Sequence, residues 1–223
     1  MIPDWHIADI ERISPESIDE ARDLAAATLY EAAGQRGALD PAIRQMAPGL
    51  NVCGPAFTIR CQSGDNLTLH AAVAHASAGD ILVADVGDFA DAGHWGEILT
   101  VAAISREIGG LVINGGVRDI TALPRLGFPV FARAVSMKAA TKRIRGLLNH
   151  PVVCGGVEIE PGDLVVGDED GVVAIARGGA GAIIAQARER EDREALMMER
   201  LRQGDLTLDL LNLRSIVEPS TRS

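Results

Sequence analysis

Two pairs of adjacent residues carry most of the chemistry that this sequence offers. Gly96-Glu97 and Arg118-Asp119 are separated by twenty residues, 98 to 117. A carboxylate, a guanidinium and the free amides of a helix start could bind an anion together, because N–H groups point out of a helix N-terminus. The alternative is that Arg118 and Asp119 form a solvated turn pair and that Glu97 is a favourable first-turn acid.

The elements between the two pairs decide whether these residues can meet. A helix beginning at Gly96-Glu97 is indicated by apolar residues at i, i+3 and i+7, namely Val101, Ile104 and Ile108. Gly109-Gly110 is expected to end that helix, residues 111–113 read as a buried strand, and Gly115-Gly116 as the following turn. Ligand sites in open α/β sheets lie beyond the carboxyl ends of strands. The pattern therefore predicts one pocket lined by both pairs.

Composition restricts the class of protein. The chain has 223 residues and a formal net charge of −10, which argues against nucleic acid as a partner. No stretch approaches the length of a membrane span, and the start resembles no secretion signal. Three cysteines form no C-x-x-C and are expected to be reduced thiols of a cytoplasmic protein, namely Cys53, Cys61 and Cys154.

The remaining elements predict a single α/β domain with terminal extensions. We expect an N-terminal arm over 1–13, then a domain over 14–205 that begins with one helix capped by Ser14. Strands are predicted by short apolar runs at 56–61, 80–86 and 129–132, and by several β pieces within 152–175. A periodic C-terminal helix over 182–203 precedes a tail over 206–223.

Three further groups of polar residues are candidates for a site. His70 and His75 are five residues apart and read as ordinary helix histidines rather than a metal pair. The acids at 168–170 read as a hairpin turn. Glu191 lies on the apolar stripe of the C-terminal helix with Glu194 beside it. A carboxylate there either meets a cation or a metal, or is solvated at the edge of the stripe.

The spacing of the two pairs resembles the acid-X20-Arg-Asp signature of the class II pyruvate aldolases. These enzymes act on 4-hydroxy-4-methyl-2-oxoglutarate and 4-carboxy-4-hydroxy-2-oxoadipate, and they share a fold with the regulator of ribonuclease E activity A (RraA-like proteins). The resemblance extends over roughly residues 20 to 205. Family-like segments occur in order at residues 30–32, 54–58, 79–83, 129–132, 162–163 and 170–173.

The resemblance implies a swivelling β/β/α sandwich that forms homotrimers, often stacked as hexamers, with sites between subunits. It implies that Asp119 holds Mg²⁺ or Mn²⁺ and that Glu97 holds a metal-bound water. The substrate would be a small 2-oxo acid, released as pyruvate through a metal-stabilised enolate, with oxaloacetate decarboxylation as a companion activity. The implied substrate-binding residues are Gly96, Glu97, Ile98, Leu99 and Arg118. Glu194 of a neighbouring subunit would complete the outer metal shell, with Glu191 as second choice.

One departure and one alternative accompany this interpretation. The aldolases extend the signature to Arg-Asp-X2-acid, whereas Ala122 stands at that position here. The alternative function is a non-catalytic protein that binds and regulates a ribonuclease. Asp119 and the long C-terminal helix weigh against it, since the characterised regulators lack both.

Overall fold

The fold is described from a computed structural model, which covers residues 4–87 and 89–217. Its strands are Arg44–Gln45 (β1), Val52–Arg60 (β2), Ile81–Asp85 (β3), Gly110–Val117 (β4), Val130–Val135 (β5), Leu147–Leu148 (β6), Val152–Cys154 (β7), Val157–Ile159 (β8), Leu164–Asp168 (β9) and Gly171–Ile175 (β10). Its helices are Pro15–Ala21 (α1), Ala26–Ala32 (α2), Leu67–His75 (α3), Glu97–Ile104 (α4), Leu123–Leu126 (α5), Ala180–Arg202 (α6), Thr207–Leu210 (α7) and Arg214–Val217 (α8).

The main sheet has the strand order β1-β5-β4-β3-β2-β9-β10. Strands β2 to β5 are parallel to one another, while β1, β9 and β10 pair antiparallel with their neighbours. Strand β6 adds to β2, and β7 pairs with β8 as a separate hairpin. The predicted strands and the hairpin turn at 168–170 are confirmed.

Alternation along the parallel strands separates two cores, because successive side chains of a strand point to opposite faces. Leu82 and Ala84 of β3 face the core beneath α3, α4 and α5. Ile81 and Val83 face a second core, shared with the β7–β8 hairpin. Both faces are covered, which explains why these strands are almost uniformly apolar.

A third core joins β9 and β10 to the N-terminal helices and α6. Ile184 and Ala187 of α6 pack there with Leu29 of α2. The C-terminal helix is confirmed and begins slightly earlier than expected. Its second half, from residue 191 onwards, is half-buried or exposed. No helix among the described residues is long and apolar enough to cross a membrane.

The N-terminal region differs from the expected single helix. Ser14 caps α1 as predicted, since its Oγ accepts the Ser17 amide at 3.2 Å. The chain then breaks, and α2 begins where the Ala26 amide donates to Asp168 Oδ2 at 2.8 Å. A distant carboxylate thus starts the second helix, which no local pattern could indicate. Of the predicted arm and tail, residues 1–3 and 218–223 lie outside the described residues.

Candidate functional site

The loop before α4 lies against the end of β4 and brings the two residue pairs together. The Arg118 amide donates to the Trp95 carbonyl at 2.8 Å, and the His94 amide donates to the Gly116 carbonyl at 2.9 Å. Trp95 also forms an isolated parallel bridge with Val117. The start of α4 therefore lies beside the residues that follow β4, as the sequence predicted.

Gly115 and Gly116 permit this close approach, but they do not form the predicted turn. Both lie inside β4, which has a register shift against β5 at this point. A Cβ at Gly115 would lie 2.2 Å from Val86 Cγ2, and one at Gly116 would lie 2.5 Å from the Ala92 carbonyl oxygen. Glycine is required here because another chain segment crosses the strand.

Trp95 fixes the first turn of α4 to the core. Its ring is fully buried and stacks on Phe128 at 6.0 Å between centroids. Its indole Nε1–H donates to Thr100 Oγ1 at 2.7 Å. A buried indole needs such a partner, so this contact fixes both the ring and the helix.

The apolar residues that indicated the helix do not form its buried face. Leu99, Thr100 and Ala103 are buried, while Val101 and Ile104 are exposed. The helix is apolar almost all round, so periodicity could not identify its buried side. It also ends at Ile104 rather than at Gly109-Gly110.

Asp119 and Glu97 meet through the backbone of the helix. Asp119 has a positive φ of 59°, and its Oδ2 accepts the Glu97 amide at 3.0 Å. A Cβ at Gly96 would lie 2.4 Å from that same oxygen. Glycine at residue 96 thus leaves the space that the carboxylate occupies at the positive end of α4.

Arg118 lies over the same glycine. Its Nε is 3.6 Å from Asp119 Oδ2, and both side chains are 41% exposed. A Cβ at Gly96 would approach Arg118 Cγ to 3.0 Å, and one at Gly93 would approach Arg118 Cβ equally closely. The aliphatic part of the Arg118 side chain therefore packs against the two glycines, and its guanidinium remains accessible to a ligand.

A small cavity of about 60 Å³ opens beside Arg118. Its wall combines predicted substrate-binding residues with residues for which the sequence predicted no chemical role. The predicted residues in its wall are Gly96, Ile98, Leu99 and Arg118, and the additional polar ones are Asn66, His70, His94 and Lys142. The volume exceeds the ~10–15 Å³ that one water molecule needs.

Two buried polar atoms of the cavity wall have no partner among the described residues, Asn66 Oδ1 and His94 Nε2. His94 Nδ1 lies 3.3 Å from the Gly116 carbonyl, which suits a neutral ring with its proton on Nδ1. Burial lowers the pKa of His94, although hydrogen bonds to Gly116 and Ala92 oppose this. Two residues of the cavity wall thus each carry a buried polar atom without a partner, which is costly.

The cavity is also cationic at its rim. Arg118 and Lys142 both line it. Burial lowers the pKa of His70, and the charge of Lys142 lowers it further, so the ammonium lies near that ring. Two permanent cations around a small polar cavity favour an anionic ligand group.

The other predicted residues lie outside the cavity, and Asp119 is among them, so the prediction of one pocket lined by both residue pairs was wrong in part. Glu97 is exposed, and its amide, not its carboxylate, contacts Asp119. Ala122 is half-buried, and its amide donates to the Asp119 carbonyl at 2.9 Å. Glu194 contacts Arg190 at 2.7 Å, and Arg190 also pairs with Glu31.

Glu191 and Glu194, the two predicted acids of α6, do not line the cavity of their own chain. Glu191 contacts Arg188 at 3.3 Å, and α6 packs on the N-terminal helices. A contribution of Glu194 to this site requires a second copy of the chain. That contribution stays a prediction.

The donor chemistry at Asp119 fits a hard divalent cation held by one carboxylate. Mg²⁺ binds proteins through one or two carboxylates and keeps several waters. Across 4–87 and 89–217, no group of three or more His, Cys, Asp or Glu side chains could hold a metal ion. A cation at Asp119 would therefore depend on water and substrate for its other ligands.

Comparison with known proteins identifies the family. The model of the RraA-like family, Aldolase/RraA, matches residues 18–174. The chain belongs to the RraA-like family. This confirms the resemblance drawn from the spacing of Gly96-Glu97 and Arg118-Asp119.

Relatives agree with that assignment. The chain is 36% identical over 183 residues to a proposed 4-hydroxy-4-methyl-2-oxoglutarate aldolase of Halalkalibacterium halodurans, covering 82% of this chain and 86% of that protein. A solved structure of an uncharacterised Pseudomonas syringae protein matches with a TM-score of 0.79 and 30% identity, covering 88% of this chain and 97% of that one. Streptomyces coelicolor RraAS2, described as an unusual member of the RNase ES inhibitor RraA family, matches with a TM-score of 0.76 and 27% identity, covering 85% and 99%.

These neighbours confirm the predicted α/β fold of the RraA-like type as a single domain. The family and the first of these relatives support an aldolase-type function, and hence a lyase. The family also contains inhibitors of ribonucleases, as the Streptomyces protein shows.

Proposed function

We propose that this protein is a metal-dependent lyase that forms pyruvate from 2-oxo acids. Its substrates would be a 4-hydroxy-2-oxo acid, cleaved by a retro-aldol reaction, and oxaloacetate, which loses CO₂. One observation carries the proposal: Asp119 Oδ2 accepts the first amide of α4 and lies 3.6 Å from Arg118 Nε, beside a small cationic cavity.

The substrate carboxylate would lie at the start of α4. The first helical hydrogen bond runs from the Thr100 amide to the Gly96 carbonyl, so the Ile98 and Leu99 amides precede it. Such amides favour an anion. Arg118 and Lys142 add positive charge on the same side.

Both reactions place negative charge on the 2-oxo oxygen as a carbon–carbon bond breaks. Mg²⁺ or Mn²⁺ at Asp119, with Glu97 near a bound water, would supply Lewis acidity for that oxygen. Arg118 would stabilise the same charge with its planar guanidinium, which the two glycines seat in one orientation.

The two reactions differ in their need for a base. Retro-aldol cleavage requires that the substrate hydroxyl lose its proton, whereas loss of CO₂ does not. Ala122 provides no acid or base after Asp119. The site therefore favours oxaloacetate decarboxylation over cleavage of 4-hydroxy-4-methyl-2-oxoglutarate.

The protein would act as a homo-oligomer, a trimer or a hexamer. The exposed face of α4 carries Ile98, Val101 and Ile104, at 76%, 51% and 40% exposure. A continuous apolar face beside a site is typical of a protein interface. Glu194 of a second subunit would then reach the metal's outer shell.

Pyruvate release tests the proposal. Purified protein is incubated with oxaloacetate or 4-hydroxy-4-methyl-2-oxoglutarate, with Mg²⁺ and then with EDTA, and pyruvate is measured by a coupled dehydrogenase. We expect release with Mg²⁺ that EDTA abolishes. Absence of pyruvate from both substrates contradicts the proposal and favours the ribonuclease-regulating alternative.

A further inference from the structure

Lys142 reaches the cavity from a segment that has little structure of its own. Residues 136–146 connect β5 to β6 and contain no helix or paired strand beyond isolated bridges. A lysine on such a segment is mobile unless the backbone around it is held. Two backbone hydrogen bonds help: the Thr141 amide donates to the Gly64 carbonyl at 2.8 Å, and the Asn66 amide donates to the Thr141 carbonyl at 2.9 Å.

The side chain of Asp65 makes further contacts to this segment, on both sides of Lys142. It is 2% exposed. Its Oδ2 accepts the Thr141 hydroxyl at 2.7 Å, the Arg143 amide at 2.6 Å and the Ile144 amide at 3.3 Å. These three donors bracket Lys142, one on the residue before it and two on the residues after it.

The other carboxylate oxygen joins the segment to α3. Asp65 Oδ1 accepts the Leu67 amide at 2.9 Å, at the start of the helix that carries His70. This contact is an Asx-type turn before α3, whose N-cap is Asn66. It does not explain why the second oxygen receives three donors from residues 141 to 144.

Asp65 carries a negative charge, which strengthens the hydrogen bonds that it accepts from residues 141–144. Burial alone would raise the pKa of Asp65, but hydrogen bonds from Thr141 and from the Leu67, Arg143 and Ile144 amides outweigh it and hold the pKa below its ordinary value. The carboxylate is therefore ionised at neutral pH. Hydrogen bonds to an ionised acceptor are stronger than those to a neutral one.

We propose that Asp65 is a positioning residue that fixes Lys142 at the cavity beside Arg118, by holding the backbone on both sides of that lysine. The kinetic consequence rests on the proposed function, in which Lys142 binds the substrate carboxylate. The structural consequence does not. Without the carboxylate, the backbone on both sides of Lys142 would loosen and the ammonium would leave the cavity.

The structural consequence is tested by limited trypsin digestion, since cleavage after Lys142 and Arg143 requires the segment to open. Asp65→Asn leaves one acceptor oxygen for four donors. Loss of a hydrogen bond to a charged group corresponds to a change of about tenfold or more in the open population, and cleavage follows that population. Asp80→Asn is the matched control, because Asp80 is equally buried but is held by Arg12 and the Ser77 amide. Faster cleavage in Asp65→Asn alone supports the proposal, and unchanged cleavage overturns it.

The kinetic consequence is tested by a double-mutant cycle with Lys142→Ala. A residue that binds substrate equally in ground and transition states changes KM and leaves kcat unaltered. We expect Asp65→Asn to raise KM for oxaloacetate about tenfold, in line with one lost hydrogen bond. The same change is expected to add nothing when Lys142 is already alanine. Effects that multiply in the double variant overturn the assignment of Asp65 to Lys142.

Thr141→Val removes one donor only and covers the case in which Asp65→Asn does not fold. This variant should also accelerate cleavage and raise KM, but less than Asp65→Asn does. Cleavage and KM equal to those of the wild type would contradict the proposal. If the wild-type protein releases no pyruvate, the proposed function fails. The tryptic result then still decides whether Asp65 holds the segment.

Discussion

Replacing Gly96 by alanine tests the geometry of the site with one added methyl group. The new Cβ would lie 2.4 Å from Asp119 Oδ2, whereas ordinary contact begins at 3.4 Å. The carboxylate must therefore move by about 1 Å, and a displacement of that size at a catalytic group costs about 100-fold in rate. The backbone adds no strain, because φ at residue 96 is −167°, an extended value open to any residue.

The movement also breaks the hydrogen bond between Asp119 and the Glu97 amide. Hydrogen bonds to charged groups contribute about 1.5–3 kcal/mol. Both effects predict that kcat/KM for pyruvate formation falls on the order of 10–100-fold. Stability should fall by up to about 1.5–3 kcal/mol for the lost hydrogen bond, together with about 1 kcal/mol for alanine at a helix N-cap.

Gly179→Ala is the matched control. Gly179 is the N-cap of α6, and no heavy atom of the described chain lies within 4 Å of its added Cβ. The assay is pyruvate release with saturating Mg²⁺, together with thermal unfolding of both variants. Wild-type kcat/KM in Gly96→Ala, or an equal loss in Gly179→Ala, would show that the space at Gly96 does not position Asp119 for the reaction.

Three further predictions follow from the same structure. Arg118→Lys should lower kcat far more than it raises KM, because a compact ammonium replaces a planar guanidinium of fixed orientation. An unchanged kcat would limit Arg118 to substrate binding. A chain ending at Arg190 keeps the buried Ile184 and Ala187 and should stay folded, yet lose oligomer size by light scattering and lose activity; a fully active monomer would exclude a shared site. Burial lowers the pKa values of His94 and His70 in the folded protein, so the unfolded chain binds more protons below about pH 6.5. Tm should therefore fall as the pH drops below about 6.5, and it should fall less steeply in His94→Gln. An identical slope in that variant would assign the pH dependence to other groups.

Local patterns predict the elements that depend on local chemistry. The strands of the parallel sheet are short apolar runs between glycines, and Ser14-Pro15 begins α1 as expected. The spacing between Glu97 and Asp119 matches one helix and one strand. For that reason the sequence alone is enough to expect that the two residues lie close together.

The rest of the site depends on contacts between distant segments. Asn66 and His70 come from the start of α3, and Lys142 comes from an irregular segment that follows β5. The sequence indicates only an ordinary helix histidine at His70, since no partner stands at metal-ligand spacing. The basic and polar composition of residues 138–149 is the one signal for Lys142, and it cannot indicate which lysine faces the cavity.

The largely apolar composition of α4 explains in the same way why the spacing of apolar residues did not identify its buried face. Residues 98 to 104 offer an apolar side chain in nearly every direction. The buried side is chosen by Trp95, whose indole hydrogen bond to Thr100 turns that residue inward. The exposed side then presents Ile98 and Val101 outward.

The proposed role of Asp119 in metal-dependent catalysis is tested most directly by the Mg²⁺ dependence of pyruvate release in Asp119→Asn. Asp40→Asn is its control, because Asp40 is similarly exposed at 40% and also pairs with an arginine, Arg133, yet it accepts the Ala42 amide and not the first amide of α4. We predict that Asp119→Asn keeps its fold and loses Mg²⁺-dependent turnover, while Asp40→Asn retains it. Full Mg²⁺-dependent activity in Asp119→Asn would contradict the proposed metal site.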